Sequence, residues 1–376
     1  MNLLIILLLL AMNLAFDALI VFTPWLMPET ECLTVTVPHG ERQKEPLRGL
    51  MRAYAVHTAI ASALCLLVWP IALGPFGMDL STDRGVAIFS LLLTFSLCAP
   101  ILASFVWMLR YRRLVQQVKR EKGWVADSQR SAAVMGPDDF PQPISVYWNI
   151  AYLPLIAVMV AFALLNYDRF PDRIPMNINF NGVVESYAPK SVASVLFPAI
   201  VAAFLGVVFA ATHVGIVQSK KPIDPSIPAS TALAYGRFAR IQSIVMLAGG
   251  LVLSATTGAV FYASSLGVLP LSSAALVEMV VTLLFAVVML ALSIRLGQAG
   301  GRIVAEAPEG SMARDDDAYW KLGVFYCNPD EPSIFVPKRF GVGWTVNIGR
   351  RETWLIIVGF VVLTVGFTWG ISAAVS

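Results

Sequence analysis

Residues Asp168–Lys190 read DRFPDRIPMNINFNGVVESYAPK, and the predicted arrangement of the chain follows from this segment. It is a polar segment between two hydrophobic runs, Val146–Leu165 and Val192–Val217. Each run is close to the roughly 20 apolar residues that a helix needs to cross a bilayer. The sequence therefore predicts two spanning helices that are joined at the membrane surface by a short polar connection.

The connection itself predicts a β-hairpin. Pro171 and Pro175 disfavour helix and push the residues before them towards extended conformations. Asn181-Gly182 stands between two short β-prone segments, and a type I′ turn needs positive φ at both of its central residues. We therefore expect a small hairpin whose turn is Asn181-Gly182.

The composition excludes an ordinary soluble globular protein. The chain has 376 residues, of which 57% are hydrophobic and 14% charged, and its mean hydropathy is +0.72. We predict an all-α integral membrane protein with eight transmembrane helices, an extracytoplasmic β-hairpin and a small cytoplasmic β module. The predicted spans are Leu3–Met27, Tyr54–Leu73, Val86–Leu109, Val146–Leu165, Val192–Val217, Ile241–Ser264, Ser273–Ile294 and Thr353–Val375. We expect the first to be a retained helix, because no basic residue precedes it and no cleavage site follows.

Basic residues predict the orientation. Of the 27 Lys and Arg residues, all but Arg84, Arg169, Arg173 and Lys190 fall in loops on one side of the predicted bundle. Basic loops stay in the cytoplasm. The hairpin and both termini are therefore predicted to be extracytoplasmic in a bacterial inner membrane. The small excess of positive charge reflects the orientation of the loops and their contact with anionic lipid headgroups. The lipid bilayer is therefore a predicted partner, and direct nucleic-acid binding is not expected.

The segment after the seventh span predicts a β module. Gly297–Asp317 resembles a flexible linker, and Tyr319–Arg350 contains aromatic and β-branched runs that two turns divide into three short strands. About 32 residues are too few for a stable core, so we expect the first cytoplasmic loop, at Leu33–Val37, to add a strand to this module. The basic stretch Arg110–Lys122 is expected to lie as a helix on the inner membrane surface.

These features divide the chain into five regions. They are a three-span N-terminal region (residues 1–144), a two-span domain that carries the hairpin (145–218), a further two-span region (219–299), the β module (300–352) and a C-terminal transmembrane helix (353–376).

Two motifs carry a family resemblance. The hairpin motif FP-D-x-IP-x-N-x-N-x-x-G, closed by a Lys, resembles the signature of a bacterial integral membrane family of unknown function that includes SdpI-like immunity and signalling proteins. The matching residues are Phe170, Pro171, Ile174, Pro175, Asn179, Gly182 and Lys190. Where that family has a His, this chain has Asn177, so a role that needs an imidazole is not carried over.

The second motif resembles the small cytoplasmic module that accompanies the hairpin domain in the same family. The matching residues are Trp320, Gly323, Tyr326, Asn328, Pro329, Asp330, Val336, Pro337, Lys338, Arg339, Gly341, Gly343, Trp344, Thr345 and Asn347. The resemblance implies a sensor or immunity-type protein that meets an extracytoplasmic peptide or toxin and communicates with a cytoplasmic regulator such as a repressor.

Three groups of residues are candidate sites, each with a structural alternative. In the hairpin, Asp172, Asn177, Asn179, Asn181 and Lys190 bind a ligand, or the amides satisfy the backbone of the turn. In the module, Lys338 and Arg339 beside Trp344 form an anion, headgroup or partner site. Within the spans, Asp17, Glu278 and His213 are candidates to bind a cation, relay a proton or contact a polar ligand. The alternative is that Asp17 hydrogen-bonds a neighbouring helix, while Glu278 and His213 reach the membrane interfaces.

No catalytic or metal-binding motif and no cofactor site is recognised, so an enzyme is not expected. The alternative to a sensor is a small-molecule or ion transporter that uses Asp17 and the kinked spans containing Pro100, Pro154 and Pro198. A sensor is favoured because the irregular backbone of the chain is concentrated at the membrane surfaces.

Overall fold

The computed structural model describes residues 3–73, 82–126, 140–178, 183–303, 308–312 and 314–375. Its α-helices are α1 (Leu3–Leu26), α2 (Leu47–Leu66), α3 (Val68–Leu73), α4 (Asp83–Glu121), α5 (Tyr152–Leu165), α6 (Val192–Val217), α7 (Pro228–Ser265), α8 (Leu271–Leu296) and α9 (Arg351–Val375). Eight helical segments are long and apolar enough to cross a membrane, and the eight predicted spans all fall on them. The chain is therefore a multi-pass membrane protein.

The helices form two packed groups. In one, α1, α2 and α4 contact one another; in the other, α5, α6, α7 and α8 pack together, with α9 against α6. A contact between α1 and α8 joins the groups. Outward-facing side chains remain apolar and exposed, as lipid contact requires, and α9 is exposed along most of its length.

The strands pair locally. They are β1 (Glu31–Cys32), β2 (Val35–Thr36), β3 (Arg173–Ile178), β4 (Val184–Pro189), β5 (Trp320–Lys321), β6 (Phe325–Tyr326), β7 (Phe335–Pro337) and β8 (Trp344–Val346). Each strand pairs antiparallel with the next, as β1–β2, β3–β4, β5–β6 and β7–β8. The β3–β4 hairpin confirms the predicted one, while its predicted turn, Asn181-Gly182, lies outside the described residues.

The β3–β4 hairpin is seated on the helices by apolar side chains. Phe170 and Ile174 are buried in a cluster with residues of α5 and α6, and the rings of Phe170 and Tyr262 of α7 lie 6.0 Å apart. The hairpin is therefore fixed to one end of the second helical group.

The opposite end carries the loops that contain most of the basic residues. We use the term cap for residues 28–46, 218–227, 297–303, 308–312 and 314–350 at this end. These segments contact one another directly: His39 bonds Asp224, and Gln298 bonds the backbone at Gly343. Arg42, which is buried, donates to the carbonyls of Pro24, Met27 and Pro28. It thus satisfies the C-terminal carbonyls that a helix leaves unpaired.

Three expectations about the cap are wrong. Residues 320–346 form two hairpins rather than three strands, linked by a parallel bridge between Tyr326 and Asn347. The first loop adds no strand to them within the described residues, because Leu33 and Thr34 take positive φ and turn β1 back on β2. The predicted surface helix continues α4, whose 39 residues span about 58 Å, nearly twice a bilayer core.

The continuation of α4 is held upright by packing. Met108, Tyr111 and Val115 are buried in one cluster with Leu33 and Val35 of the first loop. The apolar residues that indicated a membrane-surface helix therefore contact the cap.

The small residues of α7 set the spacing of the second helical group. A Cβ added at Gly250 would lie 2.0 Å from the Tyr152 hydroxyl and 2.6 Å from the Phe209 ring, whereas one added at Gly359 of α9 would meet nothing within 4 Å.

We expect Gly250→Ala to lower the stability of the detergent-solubilised protein by about 1–3 kcal/mol through overpacking. Gly359→Ala is the matched control. Equal thermal unfolding midpoints for the two variants would contradict this packing.

Candidate functional site

A buried ion cluster centred on Arg339 is the most highly organised polar feature of the cap. The side chain of Arg339 is 3% exposed, and its guanidinium forms ion pairs with Asp316 and Asp317. Its Nε lies 3.3 Å from a carboxylate oxygen of Glu31. The guanidinium also lies over the ring of Trp320, 5.3 Å from the ring centroid. The first loop, the linker and the β module thus share one cation.

The same cation holds the backbone of the first loop. Arg339 donates to the Thr34 carbonyl at 3.1 Å and to the Thr36 hydroxyl at 2.8 Å. Arg112 of α4 donates to the Thr34 carbonyl at 2.5 Å and to the Trp320 carbonyl at 3.3 Å. Since positive φ is costly for a β-branched residue, these bonds account for the conformation of Thr34.

The tips of two hairpins meet at this point. Gly323, in the turn between β5 and β6, has a φ of +77°, and a Cβ there would lie 2.2 Å from the Thr34 hydroxyl. A side chain at residue 323 would therefore separate the first loop from the β module. Lys119, two turns beyond Arg112 on α4, completes the cluster through ion pairs of 2.8 Å with Asp315 and 2.7 Å with Asp317.

The protonation of the cluster follows from burial and charge. Burial, reinforced by the neighbouring Asp316 and Asp317, raises the pKa of Glu31 to about 8 against the opposing charge of Arg339. Burial also acts to raise the pKa of Asp317, but the charge of Arg339 and the Lys119 ammonium outweigh it and lower that pKa to about 2. At neutral pH the Arg339 guanidinium therefore faces an ionised Asp317 and a protonated Glu31.

A cleft of about 940 Å³ opens beside the cluster. Its walls come from the first loop, the α6–α7 connection, the segment after α8 and the β module, and they combine charged side chains with apolar ones such as Trp320, Tyr326 and Val336. This volume lies in the range of small-molecule sites. Two polar atoms of its lining residues, Trp320 Nε1 and Glu31 Oε2, are buried and have no hydrogen-bond partner in the described part of the chain. The cleft is therefore our candidate functional site.

One wall of the cleft is joined to the first loop by a His–Asp pair. His39 Nε2 lies 2.9 Å from a carboxylate oxygen of Asp224. Burial acts to raise the pKa of Asp224, but hydrogen bonds from His39 and Ser226 prevail and lower it to about 2. The carboxylate is thus ionised across the physiological range, and the pair bridges the first loop to the α6–α7 connection.

The predicted hairpin site is only partly described. Lys190 closes the hairpin base, donating to the Phe170 carbonyl at 2.9 Å and lying over the Tyr167 ring. Asn177 is exposed and donates across the strands to Ser186 at 3.0 Å, and Asp172 is exposed. The remaining members of the predicted site, Asn179 and Asn181, lie outside the described residues.

The predicted module site does not assemble as one group. Lys338 is exposed and lines the cleft, whereas Arg339 is buried in the ion cluster and its aromatic neighbour is Trp320. Trp344 instead packs against Phe238 of α7, with ring centroids 5.4 Å apart.

The polar residues within the spans occupy three separate places. His213 is fully buried; its Nε2 lies 3.0 Å from the Ile144 carbonyl and its Nδ1 lies 3.0 Å from the Asn149 amide. Glu278 accepts a hydrogen bond of 2.9 Å from Thr257. Asp17 belongs to α1, which packs against α2, and it is 4% exposed.

Sequence reasoning missed the carboxylates of the cluster. Asp315, Asp316 and Asp317 were assigned to a flexible linker, and Glu31 was given no role. The available signal is the run of three aspartates, which lies on the same predicted side of the bundle as the Arg-rich extension of the third span. No local pattern indicates that the partner of these aspartates is Arg339.

The raised pKa of Glu31 predicts a specific pH dependence of stability. Between the ordinary value of 4.5 and about 8 the folded protein retains a proton that the unfolded chain releases. The contribution of Glu31 is thus complete below pH 4.5 and is lost as the pH rises through about 8. We expect the thermal unfolding midpoint of Glu31→Gln to fall less than that of wild type as the pH rises from 4.5 to about 8. The midpoint of Glu309→Gln, a change at an exposed carboxylate, should fall as much as that of wild type. Parallel curves for wild type and Glu31→Gln would contradict the buried, protonated carboxyl.

Comparison with known families gives two partial matches. A family model described as "Domain of unknown function (DUF1648)" matches residues 155–202, which include the β3–β4 hairpin, most of α5 and the first part of α6. A second, described as "Family of unknown function (DUF5808)", matches residues 329–354, which include β7, β8 and the start of α9. No curated protein and no solved structure matches the chain. The first match contains the hairpin motif and the second overlaps the later part of the module motif. Both fit a membrane protein with domains of unknown function, and neither identifies the chain as SdpI-like.

Proposed function

We propose that this chain is a sensor or immunity-type signalling protein of the bacterial inner membrane. The β3–β4 hairpin faces outward and meets a peptide or toxin, and the cap faces the cytoplasm and engages a regulator. The observation that carries the proposal is that a single helix, α6, joins the two matched regions: its first residue follows the hairpin, and its last turn contacts the β module.

At the hairpin end, the start of α6 is tied to β4. Ser191 and Ser194 form a capping box, and the Ser194 hydroxyl donates to the Pro189 carbonyl at 2.8 Å. The backbone N–H of Lys190 donates to the Asp172 carbonyl at 2.8 Å. Because capping bonds fix the direction in which a chain enters a helix, displacement of the hairpin displaces the start of α6.

At the cap end, α6 runs directly into the β module. Ser219 forms a parallel bridge with Phe335, and the N–H of Lys220 donates to the Phe335 carbonyl at 2.9 Å. The Lys220 ammonium pairs with Glu331 and lies over the Tyr326 ring. One residue of α6, Gly215, lies so close to Phe335 that an added Cβ would be 3.3 Å from its ring.

A continuous helix carries a displacement along its axis efficiently. The 26 residues of α6 extend about 39 Å and therefore cover the full membrane core. A ligand that holds the hairpin in one position would bias the β module, and with it the cleft beside Arg339. The asymmetry of the basic loops and the two family resemblances support the outward hairpin and the signalling role.

A transporter is the second candidate. Asp17, buried within α1 and without a hydrogen-bond partner in the described residues, favours it, because buried charged residues in spans often mark transport paths.

Complementation of a deletion strain separates the two candidates. We expect Lys190→Met and Lys220→Met, at opposite ends of α6, to reproduce the transcript changes of the deletion in RNA sequencing, at protein levels equal to wild type by immunoblot. Lys221→Met, at the exposed lysine next to Lys220, is the matched control and should restore the wild-type profile. The sensor proposal is rejected if both α6 variants complement, and above all if Asp17→Asn alone resembles the deletion.

A further inference from the structure

Asp17 is the most anomalous polar group within the helical bundle. It lies near the middle of α1, its side chain is 4% exposed, and neither carboxylate oxygen has a hydrogen-bond partner among the described residues. An ionised carboxylate left unpaired in a low-dielectric interior costs several kcal/mol. The carboxylate therefore requires either a proton or a bound metal cation.

On the hairpin side of Asp17, a hydrogen-bonded group fills the space between α1, α3 and α4. Asn13, one turn before Asp17, accepts from the Ser96 hydroxyl at 2.9 Å and from Trp69 Nε1 at 3.3 Å. Pro100 leaves the Ser96 carbonyl without its helical donor, and the Asn13 amide lies 3.5 Å from that carbonyl.

On the cap side, a second group continues the line. The Tyr54 hydroxyl bonds Ser104 at 2.7 Å and donates to the Ile20 carbonyl at 3.2 Å. Tyr54 and Ser104 are both buried. The interior of this three-helix group thus carries polar side chains above and below the carboxyl.

Beside Asp17, α2 presents the hydroxyl of Ser62, and the hydroxyl of Thr58 lies one turn away on the same face of α2. Thr58 and Ser62 are four residues apart, both are buried, and neither hydroxyl has a hydrogen-bond partner in the described part of the chain. The Ser62 hydroxyl is within reach of a hydrogen bond to the Asp17 carboxyl, and the Thr58 hydroxyl is within reach of one to Tyr54. A hydroxyl both donates and accepts, so these two groups are able to pass a proton as well as to bond the carboxyl.

The other titratable groups near this position are few. Cys65 of α2 lies within electrostatic range of Asp17. On α4, which also packs against α1, the buried residues Ser96, Pro100 and Ser104 carry no titratable group. Of the titratable residues of α8, which also contacts α1, Glu278 bonds Thr257 of α7, and Arg295 lies in the last turn. No basic side chain forms an ion pair with Asp17 within the described ranges.

We propose that Asp17 is a proton-binding site inside the membrane, which exchanges its proton through the hydroxyls of Thr58 and Ser62. A proton needs only the carboxyl itself, whereas hard metal cations require about six oxygen ligands. The described residues contain no cluster of three or more acidic, His or Cys side chains that would hold a metal. The inference rests on the three-helix group alone, so it applies to a sensor as well as to a transporter.

Infrared spectroscopy of the full-length protein in lipid vesicles tests this directly. We expect the wild-type spectrum minus the Asp17→Asn spectrum to contain the carbonyl-stretch band of a protonated carboxylic acid, and this band should shift on transfer to D₂O. Asp17→Glu, which keeps the acid, should move the band rather than abolish it. Glu278→Gln, at the half-buried carboxyl of α8, is the control and should leave the band intact.

The exchange path has its own test. The double variant Thr58→Val/Ser62→Ala should retain the band but slow its shift in D₂O. The proposal is overturned if the difference spectrum lacks the band, if D₂O leaves the band unchanged, or if the double variant exchanges at the wild-type rate. Loss of the band when NaCl replaces choline chloride would also overturn it, because the site would then hold a metal cation.

Discussion

The cap depends on the burial of one guanidinium. Its six described strands, β1, β2 and β5 to β8, are each only two or three residues long, and hairpins of this size are not stable alone in water. Arg339 supplements the small apolar cluster of the β module by joining the first loop, the linker and the module through ion pairs with two aspartates of the linker and two hydrogen bonds to the first loop. Removing one member of a buried ion pair costs about 3–5 kcal/mol, because the partner charges remain buried.

The long helices position this cluster at the cap end of the bundle. The extension of α4 supplies Arg112 and Lys119, and the last turn of α6 supplies the backbone contact to Phe335. The cap is therefore attached to both helical groups. The walls of the cleft are thus connected to different helices. A shift of one helical group relative to the other therefore changes the shape of the cleft.

Local sequence patterns were sufficient for the spans and the β3–β4 hairpin. Apolar runs near 20 residues specify spanning helices because lipid offers no alternative partner for the backbone. The Pro-rich, β-prone composition of Asp168–Lys190 was likewise decisive for the hairpin. The small residues Gly250 and Gly258 of α7 also lie at close helix contacts, as expected for this spacing.

The cap could not be predicted in the same way, since its contacts join residues far apart in sequence. Thr36 and Asp317, for example, are 281 residues apart and form two hydrogen bonds. The β1–β2 turn contains Leu33 and Thr34 at positive φ, with no glycine or asparagine to signal it. The apolar face of the α4 extension was assigned to lipid because its protein partner, the first loop, has no recognisable pattern of its own.

Hydrogen exchange measured by mass spectrometry on Arg339→Met, with Lys338→Met as the adjacent control, tests the central claim most directly. If Arg339 joins the three segments, residues 30–37, 315–320 and 335–346 will all exchange faster in Arg339→Met, each by more than about tenfold, which corresponds to about 1.4 kcal/mol. Lys338→Met, which changes an exposed cation, should leave all three at the wild-type rate. Faster exchange confined to residues 335–346 would contradict the account.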